Sequence, residues 1–146
     1  MKVELFPFQK RAVSDLRMKT AIALNTYRSF KIPQVISLQA PTGSGKTIIM
    51  AALVEDIYFG TERFAEQPEA IFVWLSDSPA LNEQTRQKFD LKADKIRFEQ
   101  CVTIEDESFD MEMLEETGWI LEAQVPFVKQ QFVRYITVCR GQNQQK

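Results

Sequence analysis

Apolar and polar positions along the chain switch between a helical period and short β-prone runs. From Gln9 to about Ser29, the residues Ala12, Val13, Leu16, Ala21, Ala23, Leu24 and Tyr27 fall on roughly one face at helical spacing, which predicts a long amphipathic helix. Pro7 suits its first turn, where a missing N–H costs nothing. Lys10, Arg11, Arg17, Lys19 and Arg28 fall on or near the other faces and read as a solvated surface. Pro33 breaks the pattern. Residues 35–39, Val-Ile-Ser-Leu-Gln, then form a β-prone run, and residues 47–54 form an apolar stretch free of Gly and Pro that predicts a second helix. Gly60 marks the stop of that helix, and the polar residues 61–69, which include Pro68, read as a surface loop.

Residues 70–75, Ala-Ile-Phe-Val-Trp-Leu, are almost continuously apolar, as expected of a parallel strand covered on both faces by helices. Ser78 is positioned to cap a helix that has Pro79 in its first turn and runs over 80–89. The order strand, Gly-rich loop, helix, strand, helix predicts an α/β fold, the start of a doubly wound domain with a parallel sheet flanked by helices. Residues 95–104 alternate well enough for a further strand, 105–110 are acidic, and Met111 to Glu116 suggest a short helix. Trp119 to Arg140 is apolar and aromatic and fits either strand or helix, while residues 141–146 form a polar tail.

Chemistry concentrates at Ala40-Pro41-Thr42-Gly43-Ser44-Gly45-Lys46-Thr47, which fits the phosphate-binding loop pattern with Ala where Gly is commoner at the first position. Glycines at 43 and 45 let the backbone adopt positive φ and bring successive N–H groups towards phosphate oxygens. Lys46 reaches the β- and γ-phosphates, and Thr47 offers a hydroxyl to Mg²⁺. The loop lies between a β-prone run and an apolar helix, which is where an anion is held by a helix N-terminus. Thr42, Gly43, Ser44, Gly45, Lys46 and Thr47 are therefore the candidate ligands of a nucleotide's phosphates and Mg²⁺, with Lys46 the candidate catalytic side chain.

Composition narrows the remaining chemistry. The 146 residues contain no His and two Cys, Cys101 and Cys139, far apart in sequence, which leaves no zinc site, no Ser-His-Asp triad and no Cys-His pair. Both cysteines read as core residues. Residues 1–60 carry eight Lys/Arg against four Asp/Glu, residues 61–125 six against sixteen, and residues 126–146 four against none. A basic first third favours phosphate, but the net charge of −2 neither requires nor forbids a nucleic-acid partner. No apolar run reaches the length of a membrane span and the first residues do not open a signal peptide, so the expected location is cytoplasmic.

Residues 40–47 resemble motif I of superfamily II helicases and translocases. Phe8-Gln9, at the start of the first helix, resembles the Q-motif, whose Gln amide presents the donor and acceptor that the N6/N7 edge of adenine needs. Residues 72–85 look like motif Ia. Their Trp-Leu-Ser start and Leu-Asn-Glu-Gln core are similar to the helicase subunit of type III restriction enzymes and related DEAD/DEAH-box proteins. The resemblance spans residues 5 to about 90. It implies a partial RecA-like domain over 1–125, followed by an unassigned segment over 126–146. It further implies ATP and Mg²⁺ as cofactors, adenine read by Gln9, and a DNA backbone touched by Ser76, Ser78 and Gln84, with Arg86 a further candidate. The implied partners are DNA, the remaining helicase domains and, in a restriction system, a modification subunit.

Hydrolysis in such motors also needs an Asp-Glu pair at a strand end and an arginine from a second domain. Asp106-Glu107 follows the β-prone residues 101–104, but Glu105 intervenes and no His follows. It reads either as a degenerate acid pair or as an acidic loop. The expectation is an N-terminal fragment of a longer motor that binds ATP. Another P-loop NTPase or kinase, and an inactive remnant, stand as alternatives.

Overall fold

The computed structural model describes residues 1–76, 79–96, 101–105 and 135–140. The order is α1 (Pro7–Phe30), α2 (Lys46–Phe59), β1 (Ile71–Ser76), α3 (Pro79–Lys92), β2 (Cys101–Glu105) and β3 (Tyr135–Arg140). Pro7 opens α1, and the Gln9 side-chain oxygen accepts the Phe6 N–H at 3.0 Å, satisfying a backbone donor at the helix entrance from the third helical position. At the other end Lys31 adopts a left-handed φ of 58° and its N–H closes on Tyr27 O at 2.7 Å. Pro33 then prevents continuation.

Helix α2 is the centre of the packing. Ile49, Ala51, Ala52, Leu53, Val54, Ile57 and Tyr58 are all buried, so the helix is apolar nearly all round, as a fully covered helix must be. One side packs with Val13 and Leu16 of α1. The other meets Phe89 of α3, Ala93 and Ile96 after it, and Cys101 of β2. The helix ends at Gly60, φ 71°, where a Cβ would lie 2.9 Å from Glu66 N and 3.0 Å from Phe64 O. Glycine is therefore required for space as well as for backbone angle.

The expected surface loop over 61–69 is more than surface. Thr61 and Phe64 exchange backbone hydrogen bonds of 2.8 and 3.2 Å, and this turn drops Phe64 into the core beside Ile57. A lone aromatic among polar neighbours has no periodicity, which is why the pattern missed it. Some of the cations expected to be solvated are also engaged: Arg17 bridges to Asp56 at 2.7 Å and Arg28 donates to Gln67 Oε1 at 2.9 Å.

The sheet departs most from expectation. Strand order is β1-β3-β2, and β3 pairs antiparallel with both neighbours. The predicted parallel sheet is thus corrected for the described strands: β1 and β2 run the same way, but β3, from the segment 126–146, lies between them in the opposite sense. A continuous apolar run reports burial and says nothing of direction. Among the described side chains of β1, Phe72 and Trp74 pack on the core while Val73 is exposed, an alternation typical of antiparallel sheets. Residues 35–39 likewise form no ladder among the described residues. Ile36 and Leu38 pack inward and Val35 is 92% exposed, so the segment has the alternation of a strand, with no backbone partner among the described residues. Of the remaining elements, α3 runs to Lys92, the strand expected over 95–104 is described over Cys101–Glu105, residues 97–100 lying outside the described residues, and the run ending at Arg140 closes as a strand. The helix expected at 111–116 lies outside the described residues. Among the described residues no helix is long and apolar enough to cross a membrane.

One buried charge ties the layers together. Glu55 of α2 accepts from the Met1 ammonium and from Lys95 N, both at 2.8 Å, and also from Asp94 N. Its carboxylate thereby joins the chain start, the central helix and the turn after α3. Replacing Glu55 by Ala leaves a buried ammonium and two backbone donors without an acceptor, so Glu55→Ala is expected to cost about 3 kcal/mol. Urea denaturation read by circular dichroism measures it, and a cost below about 1 kcal/mol would show the clamp to be dispensable.

Candidate nucleotide-binding site

Residues 40–45 turn the chain from the extended segment into α2. Gly43 and Gly45 have φ of 82° and 81°, the left-handed values that glycine adopts without strain. Between them the Ser44 N–H donates to Pro41 O at 3.2 Å, and the Gly45 carbonyl accepts from Ile48 and Ile49 at 2.9 and 3.0 Å. Helix α2 therefore begins directly beneath the turn. Its first N–H groups have no intrahelical acceptor, and its first turn carries no acid. The end of the loop is consequently an electropositive, donor-rich helix terminus suited to an anion.

The lysine and the hydroxyls belong to that turn and to the first residues of the helix. Lys46 is exposed, and its ammonium donates to Ala40 O at 2.9 Å and Pro41 O at 3.0 Å. Thr42 is exposed and Thr47 half-buried. The Ser44 hydroxyl oxygen is buried with no partner among the described residues. A Cβ on Gly43 would meet nothing within 4 Å, so that side of the loop is open. These features fit a triphosphate: backbone donors and Lys46 for its oxygens, and Thr47 for an accompanying Mg²⁺, whose charge would offset that of the β- and γ-phosphates. Among the described residues there is no cluster of His, Cys, Asp or Glu able to hold a metal by itself.

Gln9 lies against this loop, 5% exposed. Its Nε2 donates to Ser44 O at 3.0 Å while its Oε1 accepts from Phe6 N. The sequence suggested this amide as an adenine reader; in the fold it is also a strut joining the start of α1 to the loop. A primary amide offers two donors and two acceptor sites, so one of each is left after these bonds. Phe6 and Phe8, just before it in the chain, are parallel exposed rings with centroids 6.1 Å apart. Pattern reasoning passed over that aromatic pair because a Phe-Pro-Phe start looks like an ordinary helix entrance.

The motif Ia residues are less fully assembled. Ser76 ends β1, Ser78 and the Asp106-Glu107 pair lie outside the described residues, and Gln84 is exposed on α3, accepting from Lys88 Nζ at 3.2 Å. Arg86 is occupied elsewhere: it bridges to Glu83 at 3.0 Å and donates to Cys101 O at 3.4 Å, pinning α3 to the sheet. Its hydrogen bond is the main cause that lowers the Glu83 carboxyl below its ordinary pKa, opposed by desolvation and aided by Gln87. Asn82 was not anticipated. It is fully buried, and neither amide atom finds a partner among the described residues.

A positive-φ glycine turn feeding a buried helix, with a lysine folded over it, places the chain in the class of P-loop proteins. Comparison of sequences makes this specific. The family model for the type III restriction enzyme, res subunit, matches residues 2–134, and the protein belongs to that family. Membership carries a RecA-like P-loop fold and an N-terminal region of superfamily II helicase type. No curated protein and no solved structure matches the chain.

The loop geometry can be tested by two substitutions that share a backbone angle and differ in space. Gly43→Ala should cost only the left-handed penalty of about 1–2 kcal/mol. In Gly45→Ala the new Cβ would lie 2.5 Å from Gln9 Nε2, so the Gln9–Ser44 hydrogen bond is lost as well, adding about 1 kcal/mol. Gln9→Ala in the Gly45→Ala background should then cost less than it does alone. Additive costs in denaturant melts would refute the Gln9 strut.

Proposed function

We propose that this chain is the ATP-binding part of a DNA helicase or translocase related to the type III restriction enzyme helicase subunit. The observation that carries the reading is the union of the P-loop turn with Gln9, 35 residues away in sequence yet bonded to Ser44 O, in a chain of that family. Gly43, Ser44, Gly45 and Thr42 cradle the triphosphate with the N-terminus of α2. Lys46 leaves the Ala40 and Pro41 carbonyls for the phosphates, and Thr47 binds Mg²⁺. Gln9 uses its remaining donor and acceptor for adenine. Residues 1–125 carry this nucleotide-binding unit, and β3 from the segment beyond contributes the middle strand of its sheet.

DNA contact is assigned to the β1–α3 junction, where Ser76 and Ser78 precede the α3 N-terminus and Gln84 is exposed on the helix. Phosphates at a helix N-terminus receive backbone donors and a favourable dipole. The proposed location is cytoplasmic, where ATP and DNA are both available. The remaining motor domains and a modification subunit are the proposed partners.

Titration calorimetry with ATP and Mg²⁺ tests the binding claim. Single-site binding is expected for the wild type, with at least a tenfold loss in Lys46→Ala and a selective loss of adenine over guanine preference in Gln9→Ala. Binding that is absent, or unchanged in Lys46→Ala, would overturn the reading. ATPase assays with and without duplex DNA test the partial-motor claim: turnover should be slow and little changed by DNA, and rapid DNA-stimulated turnover would defeat it.

A further inference from the structure

Cys101 and Cys139, separated by 37 intervening residues in the chain, occupy directly opposed positions on β2 and β3. Residues opposed across an antiparallel pair share one face of the sheet, with Cα atoms about 4.5 or 5.5 Å apart according to the hydrogen-bonding phase. Both separations fall within the roughly 4.4–6.8 Å range that a disulfide spans. Phe72 of β1 is opposed to the same Cys139, so a row Phe72, Cys139, Cys101 crosses all three strands. Cys101 is 2% exposed within the α2–α3 core cluster, against which Phe72 also packs. The row therefore lies on the face covered by α3.

We propose that Cys101 and Cys139 form a redox couple that closes as a cross-strand disulfide and locks β2 to β3. The oxidant is a low-molecular-weight disulfide such as oxidised glutathione. One cysteine thiolate attacks a sulfur of that disulfide, breaking its S–S bond and releasing one small thiolate. The opposed cysteine thiolate then attacks the protein sulfur of the mixed disulfide, forming the Cys101–Cys139 bond and releasing the second small thiolate. The two protons given up by the protein thiols go to the two released thiolates. Two electrons pass from the cysteine pair to the small disulfide. Burial of Cys101 makes the first step slow, but among the described strands β2 lies at the edge of the β1-β3-β2 sheet. It opens without breaking the β1–β3 ladder, and that opening admits the reagent. The bond lies under α3, whose Arg86 donates to the Cys101 carbonyl, so it stiffens the support of the helix that carries Gln84.

The test uses the whole chain, reduced, freed of reductant and incubated folded with oxidised glutathione. Intact mass and a non-reducing peptide map are then read. The expected product is a monomer lighter by two hydrogens, with one peptide pair joined through Cys101 and Cys139. Its Tm should rise by roughly 5–10 °C and return on adding dithiothreitol. In Cys139→Ser the mixed disulfide at Cys101 should persist with its glutathione attached, because no opposed thiol resolves it. If that variant does not fold, the wild-type peptide map decides alone. Glutathione retained on both cysteines, a bridge between two chains, or thiols still reduced once an unfolded control has fully reacted would each overturn the proposal.

Discussion

The covering of α2 on both sides is the constraint on which the other features rest. A helix with apolar residues around most of its circumference is stable only if it is enclosed, and here α1 with Phe64 encloses one side and α3 with the sheet the other. Enclosure fixes the helix axis, and with it the position and direction of the helix N-terminus. The P-loop is the approach to that end. Its donors are useful because they are held still: the turn at Gly43 and Gly45, the Ser44–Pro41 hydrogen bond and the Gln9 amide leave the loop little freedom to follow a ligand. Binding to a rigid, donor-lined cradle costs less ordering than binding to a mobile one.

Two polar devices brace this apolar arrangement at opposite ends of α2. At its start, Gln9 draws the entrance of α1 against the loop. Near its end, Glu55 gathers the Met1 ammonium and the backbone donors after α3. Each satisfies several groups at once, which is the condition under which buried polar atoms support a fold. Asn82 is the exception, buried with neither end of its amide engaged among the described residues. Its place one turn into α3, next to the β1–α3 junction, puts it beside the region assigned to DNA contact, yet nothing in the packing explains its burial.

Local signals carried far in this chain. The helical period of α1, the Gly60 stop and the Pro79 start were legible because each depends on residues a few positions apart. The phosphate loop was legible for the same reason, since its chemistry is written in eight consecutive residues. The elements that escaped are non-local. Phe64 enters the core through a turn bonded to itself, Arg17 finds Asp56 on another helix, and the Gln9 amide bonds a loop 35 residues away.

The sequence by itself determined that this is an α/β chain with a phosphate loop at a helix N-terminus, and its motifs pointed to the family in which it belongs. Spacing and periodicity suffice for that, because the backbone angles and donors of the loop come from its own residues. Only the tertiary structure decided how the strands pair, that Gln9 braces motif I, and that two cysteines far apart in the chain stand opposite each other in adjacent strands. Each of these is a matter of register or approach between distant segments. Such choices are set by how the apolar faces close around α2, and no local pattern records them.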